Sequence, residues 1–190
     1  MPERLDIDVS FLCRQWLEKM PDAEDRCRSA AAAAFDQADA NLASAAEVSI
    51  VLADNDQLQR LNRDYRSQDK PTNVLSFANL DGDGAPSPLA DGSGPVMLGD
   101  IIVAYGVTVA EAQAADIGVT DHLSHLVVHG MLHLLGHDHL DDAQADRMEG
   151  LERIVLAGLG VADPYADPGA DPGADPCAET AVPLTGTARP

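Results

Sequence analysis

The chain predicts an α+β fold, a small mixed β-sheet with helices packed on it, and three observations predict it. Short alternating or apolar runs of strand length fall within the first 104 residues. Helical segments are interleaved with them and then cluster late, which is the α+β pattern rather than a regular strand–helix alternation. The 190 residues suit one domain with a real core. Aromatics make up only 4% of the chain, so that core must be built mainly from Leu, Val, Ile and Ala.

Each element has a local reason. Leu5 to Val9 alternates apolar and acidic residues, as a half-buried strand does. Ala23 to Ala38 is helical by its alanine content. Glu47 to Ala53 (EVSIVLA) reads as a strand, and Asp54 or Asn55 caps a helix running to about Arg66. On that helix Leu58, Leu61 and Tyr65 form the expected buried stripe; Arg66 falls at its margin, and Arg60 and Arg63 on the far side. Lys70-Pro71-Thr72 ends the helix, and Asn73 to Phe77 (NVLSF) is a strand. Asp81 to Pro95, rich in Gly, Pro and Asp, predicts a mobile loop. Met97 to Ala104 (MLGDIIVA) is a strand, followed by helices over Val107 to Ala115, Thr120 to Leu135, and about Asp141 to Ala157.

The last segment differs in kind. Four A-D-P repeats begin at Ala162, Ala166, Ala170 and Ala174. Proline every fourth residue forbids a helix, and few residues here could anchor a core. The division expected is therefore a domain over 1–161 and a disordered acidic tail over 162–190. The net charge is −20, with about −4 of it in the tail. An acidic body confines any nucleic-acid contact to a local patch, for which Arg60, Arg63, Arg66 and Lys70 are the best cluster. The three cysteines, Cys13, Cys27 and Cys177, have no metal-ligand spacing, and an odd count argues against a disulfide framework. With no signal-peptide pattern and no run near ~20 apolar residues, the expectation is a soluble cytosolic protein without a membrane partner.

The chemistry is concentrated in HGMLHLLGHDH, residues His129 to His139. Histidines four apart on a helix share a face, so His129 and His133 can reach one ion. Gly136 can end the helix and let the chain return with His139 as a third ligand, His137 being its rival. Three protein nitrogens with a fourth position open suit a catalytic zinc, whereas structural zinc normally closes with four ligands. The H-x3-H-x5-H spacing matches the metzincin protease pattern, but Gly130 stands where those enzymes carry the glutamate base. Glycine costs a helix interior about 1 kcal/mol relative to alanine, so a neighbour is expected close to the backbone there.

Around this run, His125 reads as a packing or supporting residue and His122 as surface. Asp138 either accepts from a ligand imidazole or caps the next helix. Asp100 interrupts an apolar strand and reads as structural. Arg66 is either a salt-bridge partner of Asp69 or a phosphate-facing guanidinium, and its margin position favours the second.

Three segments, LNRDYRSQDKPTNVLSF (Leu61 to Phe77), LGDIIVA (Leu98 to Ala104) and HLVVHGMLHLLGHDH (His125 to His139), together resemble the bacterial YbeY family, over roughly residues 45–155. Its members are metal-dependent endoribonucleases of ribosomal RNA maturation. The resemblance implies one zinc ion held by His129, His133 and His139, with Arg66 as the functional arginine of the cleft. It also implies single-strand-specific processing of the 16S rRNA 3′ end and ribosome quality control. RNA, the small ribosomal subunit and ribosomal or assembly proteins are then the expected partners, and no organic cofactor is expected. This chain departs from the family in His137, where an aromatic residue usually precedes Asp-His, and in its acidic tail. Two other readings stand beside it: a non-catalytic ribosome-assembly factor with a structural zinc, and a metzincin-like metallohydrolase.

Overall fold

The computed structural model describes residues 4–38, 42, 45–79 and 94–166, and the backbone of 181–183. The strands are β1 (Leu5–Phe11), β2 (Ala46–Ala53), β3 (Val74–Ala78), β4 (Val96–Ala104) and the short β5 (Ala181–Pro183). The helices are α1 (Arg14–Lys19), α2 (Ala23–Gln37), α3 (Asn55–Arg66), α4 (Tyr105–Ala114), α5 (Val119–Leu134) and α6 (Asp142–Gly158). The sheet order is β1-β2-β4-β3-β5. β1, β2 and β4 run parallel, β3 is antiparallel to β4, and β5 lies parallel to β3. This is the mixed sheet with packed helices that the pattern of segments predicts.

Strand alternation sorts the core into two faces. Val48, Ile50, Leu52, Leu98, Ile101 and Val103 belong to the large cluster under α2, α5 and α6. Leu75, Phe77 and Ala104 belong to a smaller cluster with Leu58 of α3. α5 is the central element of the larger layer, packed against α2, α6, α4, β3 and β4. Thirteen consecutive residues of it, His122 to Leu134, are buried. Side chains such as Leu126, Met131, Leu132 and Leu134 each contribute about 1.5–3 kcal/mol by leaving water. That burial holds the helix in one place, as a metal-binding face needs.

Two local expectations change. α1 has no counterpart in the sequence reading, because six residues without a side-chain cap give no helical signal. It is held by tertiary contacts instead: Trp16 is fully buried and donates from Nε1 to the Ala53 carbonyl at 3.0 Å. On α3 the expected stripe ends differently. Leu58 is buried, but Tyr65 is 55% exposed with its ring edge-on to Phe77. Asn62 takes the interior place, because its amide satisfies the Lys70 carbonyl at 2.8 Å as the chain turns back. Beyond α6, Tyr165 folds back onto that helix and donates its hydroxyl to Glu152.

The rest of the expected tail, apart from the 181–183 backbone, and most of the expected loop after Asp81 lie outside the described residues. Cys177 lies there too. Cys13 and Cys27 are buried free thiols, and burial, reinforced by Glu24 against the opposing Arg28, pushes Cys27 up to about 12.

Gly130 shows its reason directly. A Cβ there would meet Ile101 Cγ2 and Ser76 Oγ, each at 2.9 Å, so α5 lies on the sheet too closely for a side chain. Gly130→Ala is expected to lose about 1–3 kcal/mol to overpacking, outweighing alanine's ~1 kcal/mol helix advantage. Thermal unfolding checks this: the melting temperature should fall by several degrees, and an unchanged or higher one would contradict the close packing.

Candidate metal centre

The site grows out of the end of α5. His129 and His133, one turn apart, are both buried. After His133 the helix stops: Gly136 adopts φ +89°, a backbone region that favours glycine, and the His137 amide bonds back to the Leu132 carbonyl at 3.0 Å. Asp141 caps α6 by accepting from the Gln144 amide at 2.8 Å. Between these two fixed points the chain swings back and brings His139 to the helix face. One ligand atom from each of His129, His133 and His139 lies within 4.8 Å of the other two.

Hydrogen bonds decide which ring nitrogens are available. His133 Nδ1 lies 3.0 Å from the His137 carbonyl, which can only accept, so Nδ1 carries the proton. His129 Nδ1 lies 2.7 Å from Oε1 of Glu152 and donates to that carboxylate. Both neutral rings therefore keep their lone pair on Nε2, and these two Nε2 atoms face each other at 3.0 Å. Two lone pairs so close repel unless a cation lies between them. Tetrahedral ligands at the usual ~2.0–2.1 Å zinc–nitrogen distance sit roughly 3.3 Å apart, so the pair is already near the spacing a zinc ion needs.

Charge follows burial. Desolvation, with the His129 and His139 rings adding to it, lowers His133 to about 2, so the ring stays neutral and able to ligate. Glu152 is the one buried carboxylate among the described residues, at 0% exposure. Burial by itself would raise it, but the His129 hydrogen bond and the neighbouring His129 and His125 rings outweigh burial and hold it below the ordinary carboxylate range. Tyr165 donates its hydroxyl to Oε2 of the same carboxylate, and His125 Nε2 stands 3.7 Å from that oxygen, too far for a hydrogen bond.

Each expected residue has its place. The histidine trio comes together as the spacing predicts. His137 serves through its main-chain carbonyl, while its ring stands outside the trio. Asp138 accepts from the His139 amide at 2.8 Å and so pins the loop. His125 packs beside Glu152, Tyr165 and His129. His122 is not on the surface: it is 6% exposed and bonds Glu111 of α4 at 2.8 Å, because α4 covers that end of the helix. Asp100 is exposed.

Arg66 ends α3 with its Nη1 buried, while Arg60 and Arg63 are exposed and held by Gln57 and Asp64. The alternation of β3 puts α3 and α5 on opposite faces of the sheet. Glu152 and Tyr165 were missed in the sequence. Glu152 does carry a signal, for it stands within the buried stripe Met148, Glu152, Val155 and Leu156, where an acid needs a reason.

Fold and site together define an α+β protein with a candidate three-histidine metal centre on a buried helix. A family model described as Endoribonuclease YbeY matches residues 13–160. The chain belongs to the YbeY family. It is 50% identical to Endoribonuclease YbeY of Paramagnetospirillum magneticum over 165 residues, covering 87% of this chain and 98% of that one. It is 45% identical to the protein of the same name from Azorhizobium caulinodans over 162 residues, 85% of this chain and 97% of the other. The solution structure of TM1509 from Thermotoga maritima shares the fold at 22% identity with a TM-score of 0.50, covering 89% of this chain and 99% of that one.

The lowered His133 has a testable sign. An unfolded chain takes up this proton near 6.5, whereas the metal-free folded chain resists it until about 2, so its contribution to stability is complete above 6.5 and is lost as pH falls below that. Imidazole 15N spectra of the metal-free protein at pH 5 should show His133 neutral with its proton on Nδ1. A ring that titrates near 6.5 would contradict the assignment.

Proposed function

We propose that the chain is a single-strand-specific, zinc-dependent endoribonuclease that matures the 3′ end of 16S rRNA in the cytoplasm and takes part in ribosome quality control. The observation that carries the reading is the pair of Nε2 lone pairs opposed at 3.0 Å with both Nδ1 atoms already engaged, His139 beside them. Relatives named Endoribonuclease YbeY, one of them 50% identical over 87% of this chain, support RNA as the substrate. No described helix is long and apolar enough to cross a membrane.

His129, His133 and His139 are the residues that would hold one zinc ion. Zinc supplies a Lewis acid and a bound water whose pKa falls to about 7. The chain's own part is to keep three neutral imidazoles fixed and to bind the phosphate. Although α3 lies on the other face of the sheet from α5, Arg66 is the phosphate ligand proposed from the family resemblance: its fork would grip the scissile group and offset the charge that builds up during cleavage. Peptide hydrolysis by the metzincin route lacks its base: Gly130 has no side chain, and Glu152 is engaged behind His129 on the Nδ1 side. The acidic body, at about −16 without residues 162–190, favours RNA presented by the ribosome or a partner over free RNA at large.

The test is cleavage of a single-stranded 16S rRNA 3′ fragment, with its duplex as control, by the zinc-loaded full chain. His133→Ala should lose zinc and cleavage together. Arg66→Ala should keep one zinc per chain and cleave about 10²–10³-fold more slowly. Intact RNA with zinc-loaded wild type, or equal cleavage by all three proteins, would overturn the nuclease reading in favour of an assembly factor with structural zinc.

A further inference from the structure

Glu152 is a buried carboxylate in the middle of an apolar helix face. A bare charge there would cost several kcal/mol and needs strong compensation. Both oxygens are in use: Oε1 takes the proton of His129 Nδ1 at 2.7 Å, and Oε2 takes the Tyr165 hydroxyl. Tyr165 is itself held. Its amide donates to Asp163 Oδ1 at 2.9 Å, Arg153 stands 4.8 Å above its ring and pairs with Asp163 at 3.4 Å, and the His125 ring meets it edge-on. The chain beyond α6 thus folds back over Glu152 through a set of specific contacts.

We propose that Glu152 and Tyr165 are positioning residues for the metal centre: the Tyr165 hydroxyl orients the Glu152 carboxylate, which fixes His129 with its proton on Nδ1 and its Nε2 lone pair toward the ion. The inference rests on the zinc reading above. The carboxylate makes His129 a stronger donor, because its negative charge behind the ring adds electron density to the ligating nitrogen. The functional unit then extends through Tyr165, past the boundary at residue 161 that composition suggests. The Asp163-Pro164-Tyr165 step, although it opens the Ala-Asp-Pro repeats, does a different job from them.

Two full-length variants test this, Glu152→Gln and Tyr165→Phe, each checked for folding by circular dichroism and titrated with zinc against a chromophoric chelator. Glu152→Gln keeps the shape and removes the charge; it should bind zinc about 10–100-fold more weakly. Tyr165→Phe should show a smaller loss in the same direction. Imidazole 15N spectra of the zinc-free proteins give a readout that a purely structural role would not move: His129 should carry its proton on Nδ1 in wild type and lose that preference in Glu152→Gln. Folded variants that bind zinc as wild type does, with an unchanged His129 tautomer, would overturn the proposal and leave the zinc reading standing. Wild type that binds no zinc at the three histidines would overturn both. Should Glu152→Gln fail to fold, Tyr165→Phe decides, since it removes one oxygen only.

Discussion

A helix buried on nearly every side needs partners for the polar side chains it carries, and α5 carries four histidines through the middle of the core. That constraint organises the rest of the molecule. A buried polar atom left without a partner costs about 1–3 kcal/mol, so the surroundings supply partners in turn. Glu111 of α4 meets His122, Glu152 of α6 meets His129, and the His137 carbonyl, delivered by the Gly136 turn, meets His133. The elements that meet α5 are therefore fixed by chemistry as well as by apolar packing. What these bonds leave over is the side that could hold a metal: two Nε2 atoms pointing at each other and a third histidine brought alongside.

Much of this is legible in the sequence, for identifiable reasons. The strands and the long helices are local: alternation, alanine content and the Asp54 cap each act within a few residues, and the structure has them where those signals lie. The histidine trio is legible because its spacing is set by helical pitch and one glycine turn. Gly130 is legible as a close approach, though not what approaches; Ile101 and Ser76 come from strands far away in the chain.

What was not legible is non-local. α1 depends on Trp16 reaching the Ala53 carbonyl, and no window around residue 16 contains that fact. Tyr65 yields its expected interior place to Asn62 because a loop carbonyl at Lys70 needs a donor, which outweighs the aromatic ring's claim on the interior. His122 reads as surface until α4 is seen to cover it with Glu111. Glu152 and Tyr165 lie 23 and 36 residues beyond His129, one on a helix that looks ordinary and one in a repeat that looks unstructured. Their meeting with His129 is a product of tertiary packing alone.

In the proposed zinc centre the His129 and His133 rings present Nε2, not Nδ1, to a single ion shared with His139. A crystal grown with zinc, with anomalous differences collected at the zinc edge, tests it most directly. One strong peak per chain is expected, about 2.0–2.1 Å from Nε2 of His129 and of His133 and bonded to His139, with Glu152 still on His129 Nδ1. A peak elsewhere, coordination through the Nδ1 atoms, or no ordered zinc at all would contradict it.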